Sequence, residues 1–172
     1  MRSWLAVLPV AALLALMAMF AGSSLHRAPK IEPMAVIGHP ASAIVLSRLT
    51  GGAAPVRSLV RGPTLINFYA SWCAPCVKEA PALMALKAEG VRIVGVAYED
   101  KPEATEAFLR RFGNPYAEVL LDPDGRAGVD FGTTGVPETY AVDAGGVIRA
   151  KSAQLGGITA ADAEALLEKA GK

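Results

Sequence analysis

Asn67-Phe68-Tyr69-Ala70-Ser71-Trp72-Cys73-Ala74-Pro75-Cys76 is the stretch on which the reading of this chain turns. It begins inside Thr64-Leu65-Ile66-Asn67-Phe68-Tyr69-Ala70, whose branched and aromatic side chains predict a buried strand. It ends inside a predicted helix over residues 74–88, where Val77, Leu83 and Leu86 recur at helical spacing and Gly90 marks the stop. A Cys-x-x-Cys pair that leaves a strand and opens a helix has a definite chemistry. The first sulfur meets unpaired N–H groups and the positive end of the helix dipole, so its thiolate is favoured and its pKa falls below the free value of about 8.5. The second lies one turn on, within disulfide reach. Cys73 is therefore expected to be the nucleophile, and Cys76, the more buried of the two, the resolving thiol.

The neighbours of the pair tune it. Pro75 falls in the first helical turn, where its missing N–H costs little, and it restricts the backbone between the sulfurs. Trp72 either shields one side of the site or simply packs. Pro81 breaks the rule for a helix interior, at ~3 kcal/mol if uncompensated, which suggests a fold that tolerates a bend there. Cys73 and Cys76 are the only cysteines of the chain, so no structural disulfide framework exists. A closed zinc site needs four ligands, and the only histidines, His26 and His39, lie far upstream. No metal and no cofactor beyond the redox-active dithiol is expected.

Outward from this segment, strands and helices alternate. Residues 91–97 predict a second buried strand and residues 102–112 a helix, with Pro102 near its start and Gly113 after its end. A short strand over residues 118–121, the turn Asp122-Pro123-Asp124-Gly125 and a short helix over residues 126–131 come next. Residues 139–142 and 146–150 flank Asp143-Ala144-Gly145 as a hairpin, and Thr159 opens a last helix to residue 170 with a Thr-x-x-Asp start. Upstream, residues 43–46 read as a short strand and Thr50-Gly51-Gly52 as a turn. The order predicts an α/β fold with a mixed central sheet between helices.

The whole chain of 172 residues has room for one domain and an appendage. With 52% apolar and 19% charged residues and a net charge of +1, it offers no electrostatic basis for a nucleic-acid or polybasic membrane-surface role. The appendage is N-terminal. No charged side chain occurs between Ser3 and Leu25, a run long enough to span a hydrocarbon core as a helix. Residues 1–25 are thus either an uncleaved membrane anchor or a signal peptide cut near Ala21-Gly22-Ser23; the length of the apolar run favours the anchor. Residues 26–40, with three prolines, read as a linker, and residues 41–172 as the domain. An N-terminal hydrophobic segment on a single-domain chain usually directs export of the domain behind it, so the domain is expected outside the cytoplasm.

The segment ending in Cys76, with Pro81 after it, resembles the active-site segment of the thioredoxin superfamily. Gly135-Val136-Pro137-Glu138-Thr139 resembles that superfamily's cis-proline loop, which implies a cis Pro137 and a substrate-binding loop of Val136, Pro137 and Glu138, with the Val136 backbone bonding a bound peptide. The nearer resemblance is to the membrane-tethered CcmG/DsbE reductases of cytochrome c maturation. It rests on the N-terminal segment, on Gly113-Asn114-Pro115-Tyr116-Ala117, on the cis-proline loop, and on Glu79 three residues after Cys76. Asn67 stands where cytoplasmic thioredoxins carry a buried Asp; an amide cannot accept the Cys76 proton, so Glu79 becomes the candidate modulator of the cysteines, unless it is a solvated helix residue. Tyr98-Glu99-Asp100 resembles the group's acidic turn, and solvation explains its carboxylates equally well.

The resemblance implies a thioredoxin-like fold and a thiol–disulfide oxidoreductase that reduces partner disulfides in the periplasm. Apocytochrome c or a haem-handling maturation protein is the implied substrate, a membrane thiol reductase the implied electron donor, and the inner membrane the implied location. Alternatives on the same fold are a general periplasmic disulfide reductase without cytochrome specificity and a non-catalytic binding module, the latter opposed by the presence of both cysteines. Peroxidases of this fold carry Thr-x-x-Cys, absent here, and strong oxidants typically carry His at the position of Pro75.

Overall fold

In the computed structural model, which describes residues 36–152 and 158–171, the predicted central strand is β3 (Thr64–Tyr69), and all six of its residues are buried. A strand covered on both faces reads as a near-continuous apolar run, interrupted here by the buried Thr64 and Asn67. Alternation of side chains sends Leu65, Asn67 and Tyr69 to one face of the sheet and Ile66 and Phe68 to the other. Six further strands complete the sheet: β1 (Val45–Arg48), β2 (Ala53–Pro55), β4 (Ile93–Tyr98), β5 (Glu118–Asp122), β6 (Glu138–Val142) and β7 (Ile148–Ser152). Their order is β2-β1-β5-β4-β3-β6-β7. The centre, β3 to β5, is parallel, and the two edges are antiparallel. Among the described residues, four α-helices, α1 (Ala74–Ala88), α2 (Pro102–Phe112), α3 (Arg126–Asp130) and α4 (Ala160–Lys169), join a 3-10 turn at Val56–Leu59. This is the thioredoxin-like arrangement of a mixed sheet between helices.

Each face carries its own core. On the first, Leu65 and Tyr69 pack with Cys73, Cys76, Leu83 and Leu86 and with Phe108, Leu109, Leu166 and Leu167 from α2 and α4. On the second, Ile66, Phe68, Val94 and Val96 pack with Ala127, Phe131 and Tyr140. Phe68, Phe131 and Tyr140 form a triad with ring centroids 5.1 to 5.6 Å apart, at tilted and edge-on angles that suit aromatic quadrupoles.

Differences from the sequence reading concentrate at the edges. The first strand lies at Val45–Arg48, two residues beyond expectation, and β2 was not foreseen, because Ala-Ala-Pro has little strand propensity. It forms through pairing across a turn in which Gly51 and Gly52 take φ values of 98° and 77°. The second hairpin strand begins at Ile148, and the second parallel strand at Ile93. Residues 36–40, assigned to the linker, already pair with the domain: the Gly38 N–H donates to the Ile148 carbonyl at 2.7 Å, and Pro40 bridges Val147. The compact unit runs over Pro33–Lys172. At the last helix Thr159 is the N-cap and completes a capping box with Asp162, as its Thr-x-x-Asp pattern predicts. The expected membrane segment over residues 1–25 lies outside the described residues; among the described residues no helix is long and apolar enough to cross a membrane.

Candidate active site

Cys73 is the N-cap of α1, and its sulfur accepts the N–H of Cys76 at 3.1 Å, one of the donors a helix N-terminus leaves unpaired. The two sulfurs are joined in a disulfide. Pro75 sits in the first turn, as expected, and α1 runs on through Pro81, whose missing N–H leaves the Val77 carbonyl without its helical donor. Exposure barely separates the cysteines, Cys73 being 3% exposed and Cys76 2% in this oxidised form. What separates them is position. Cys73 lies at the mouth of the helix, and its sulfur is 3.5 Å from the carbonyl oxygen of Val136. A disulfide sulfur has no hydrogen to donate there; a reduced thiol would.

Val136 precedes a cis peptide bond to Pro137, as the resemblance implied. The loop that carries them comes between α3 and β6 and folds against the start of α1, so residues more than 60 positions apart meet at the sulfur. Glu138 is not part of this contact. Its side chain is buried, and its carboxylate accepts from the Thr134 N–H and hydroxyl, from the Tyr140 hydroxyl, and from the Lys151 ammonium at 3.0 Å. Its oxygens are thus engaged by groups inside the protein.

Beneath Cys76, Glu79 lies one turn further along α1 and is buried, which removes the reading of a solvated surface residue. One carboxylate oxygen accepts from the Asn67 amide at 3.1 Å and the other from the Ile158 N–H at 3.1 Å. Burial raises its carboxyl from the ordinary 4.5 to about 7, and these two hydrogen bonds hold it from going higher. Asn67 is the hub: the same amide group donates to Thr139 Oγ1 at 3.0 Å, and its oxygen accepts the Tyr116 hydroxyl at 2.8 Å. Strand register explains the meeting, since Gly95, Asn67 and Thr139 are direct neighbours across β4, β3 and β6. A Cβ on Gly95 would lie 2.7 Å from the Tyr116 ring, so the missing side chain makes room for that tyrosine. Tyr116 also stacks on Tyr69, centroids 4.7 Å apart.

The active-site loop is held from its other side. Asp100 is buried and accepts from the Ser71 N–H at 2.7 Å, the Ser71 hydroxyl at 2.8 Å, the Lys101 N–H and the Thr105 hydroxyl. Glu99, in a left-handed conformation at φ 47°, offers its carbonyl to the Trp72 indole N–H at 3.2 Å. Trp72 is otherwise 60% exposed, a broad apolar surface beside the sulfurs rather than a core residue. Tyr116, Thr139 and Ile158 were not singled out as site residues, whereas Asp100 was reached through the acidic turn Tyr98-Glu99-Asp100, which the structure places beside the active-site loop. The only signals were Gly95 inside an apolar strand and the tyrosine of Gly113-Asn114-Pro115-Tyr116-Ala117. Among the described residues no group of acidic, histidine or cysteine side chains is placed to hold a metal.

Comparison with known proteins fits this geometry. A model of the AhpC/TSA family matches residues 37–151. The thiol:disulfide interchange protein HelX of Rhodobacter capsulatus is 43% identical over 123 residues, which cover 70% of this chain and 69% of that protein. The thiol:disulfide interchange protein DsbE of Pseudomonas fluorescens biotype C is 40% identical over 152 residues, covering 88% of this chain and 85% of that protein. Among solved structures, a thioredoxin family thiol:disulfide interchange protein from Chlorobium tepidum superposes with a TM-score of 0.62 at 25% identity, over 76% of this chain and 94% of that one.

Proposed function

The chain belongs to the AhpC/TSA family and to the group of DsbE and HelX thiol:disulfide interchange proteins, and from that premise we propose that it works as a reductant of partner-protein disulfides, with Cys73 as nucleophile and Cys76 as resolving thiol. Its activity is thiol–disulfide exchange. The observation that carries the assignment of roles is the Cys73 sulfur at the N-cap of α1, accepting the Cys76 N–H beside the Val136 carbonyl. A thiolate formed there is stabilised by the helix end, and it lies against the loop at which a peptide would arrive.

In the reduced protein the Cys73 thiolate attacks one sulfur of a partner disulfide, forming a mixed disulfide and expelling the partner's other sulfur as thiolate. Cys76 loses its proton and attacks the Cys73 sulfur. The Cys73–Cys76 bond forms, the mixed disulfide breaks, and the second partner thiolate leaves. Two electrons pass to the partner, whose thiolates take up two protons. Glu79, one turn from Cys76 with a carboxyl near pH 7, is a group able to take the Cys76 proton, with Asn67 holding it in place. Trp72 and Pro75 shape the surface and backbone around the sulfurs, and Val136 and Pro137 form the docking loop. No metal or other cofactor enters the cycle.

The finer reading rests on the resemblance of the motifs. The substrate is an apocytochrome c or a haem-handling maturation protein, and a membrane thiol reductase restores the dithiol. Residues 1–25 anchor the chain in the inner membrane, with the domain facing the periplasm.

The deciding measurement is the Cys73–Cys76 reduction potential, taken by equilibration against a dithiothreitol series. A value near or below about −270 mV is expected of a reductant; one near about −120 mV would make the chain a disulfide donor. In parallel, Cys76→Ser should accumulate a partner-linked adduct through Cys73, visible without reductant and lost with it.

A further inference from the structure

The Lys151 side chain is 3% exposed and that of Glu138 2%, and their charged groups meet at 3.0 Å. Removing two charges from water is expensive, and such a pair is often no more stabilising than an apolar one of similar volume. A reason other than stability is to be sought in what the pair holds. The Lys151 ammonium also donates to the Gly132 carbonyl at 2.9 Å and lies over the Tyr140 ring, 5.3 Å from its centroid. The Glu138 carboxylate binds both the N–H and the hydroxyl of Thr134, and the Tyr140 hydroxyl bridges Glu138 and Thr133. Gly132 and Glu138 are the two ends of the loop that carries Val136 and Pro137. One ammonium therefore fastens both ends, while the tip at Thr134 and Gly135 stays exposed.

Strand geometry places this fastening behind the sheet. Lys151 is the cross-strand partner of Tyr140, and Glu138 lies two residues from Tyr140 on the same strand face. Tyr140 belongs to the second core, and the cysteines belong to the first. The pair thus acts on the loop without touching the sulfurs.

We propose that Lys151 is a positioning residue for substrate docking: with Glu138 it clamps both ends of the Gly132-to-Glu138 loop, so that the Val136 backbone meets an incoming disulfide-bearing peptide in a fixed place beside Cys73. The proposal rests on the reading of this loop as the docking loop. It separates two properties. The dithiol keeps its intrinsic reactivity without the clamp, and recognition of a peptide does not.

The test compares the full-length protein with Lys151→Met and Lys151→Gln, the second retaining a donor for Gly132. The probe is a synthetic peptide closed by a Cys-x-x-Cys disulfide. For Lys151→Met, KM for the peptide should rise roughly fivefold or more, with kcat within about twofold and dithiothreitol exchange unchanged. Amide hydrogen exchange at Thr134, whose N–H bonds the Glu138 carboxylate, should quicken about tenfold. Lys151→Gln should fall between, and if the methionine variant does not fold, the glutamine variant decides alone. Unchanged KM, or unchanged exchange at the Thr134 amide, overturns the proposal even if thermal stability falls, because a purely structural lysine would lower only the melting temperature. A wild-type protein that fails to reduce the peptide would instead overturn the docking reading, and the exchange rates would still decide the clamp.

Discussion

Glu79 puts a carboxyl where its charge is poorly solvated, and the consequence is a pH dependence that can be assigned to one residue. Below about pH 4.5 the group is protonated whether the chain is folded or not. As pH rises from about 4.5 to about 7 the unfolded chain releases the proton while the folded protein keeps it. Folding stability therefore falls through that window, by about 3 kcal/mol at most, and is flat above it. Glu79→Gln should abolish this component. Urea midpoints of wild type and variant, measured at pH 5 and pH 8, should differ in their pH shift; parallel shifts would show that the carboxyl is not buried as described. Asn67 matters here as a donor. An aspartate at that position would set a second carboxylate against Glu79, whereas the amide gives it a hydrogen bond.

At the scale of elements, the site depends on how β4 lies under the turn after α2. Gly95 has no side chain, and the Tyr116 ring occupies that space so that its hydroxyl can reach Asn67. Gly95→Ala should push the ring away, at about 1–3 kcal/mol for overpacking, and should weaken the bond that orients the Asn67 amide. Chemical denaturation gives the first effect, and a shift in the pH dependence of Cys73–Cys76 exchange with dithiothreitol gives the second. A variant of wild-type stability would mean that the tyrosine has slack at this crossing. The strand was readable from its apolar run, but the glycine's purpose was not, because it is set by a residue 21 positions away, in the turn after α2.

At the scale of the whole molecule, the described residues form two cores on opposite faces of one sheet, and the chemistry belongs to the first. Phe131 is fully buried in the second, between Phe68 and Tyr140. Phe131→Ala should cost about 3–5 kcal/mol in urea unfolding, with the Cys73–Cys76 potential within a few millivolts of wild type under native conditions. A potential that moves with stability would show that the two faces are coupled. The same division explains why Lys151 and Glu138, on the Tyr140 face, can govern the docking loop from behind.

The amino-acid sequence by itself determined the elements and the reactive pair. β3, α1, α2, the capping box at Thr159 and the Cys73–Cys76 motif at a helix start all arise from patterns within a few residues, where backbone propensity, side-chain period and helix-end electrostatics operate. The cis-proline loop and the acidic residue after Cys76 were reached by resemblance of short motifs. Only the tertiary structure decided which polar groups are removed from water and what they then bind. Glu79 could be read equally as solvated or buried until α1 was laid on the sheet, and Glu138 changed from a loop residue to half of an internal ion pair. Lys151 carried no local sign of its role, and Tyr116 and Asp100 were marked only by the short motifs that contain them. Burial and hydrogen-bond partnership depend on contacts between distant segments, and those exist only once the sheet has assembled.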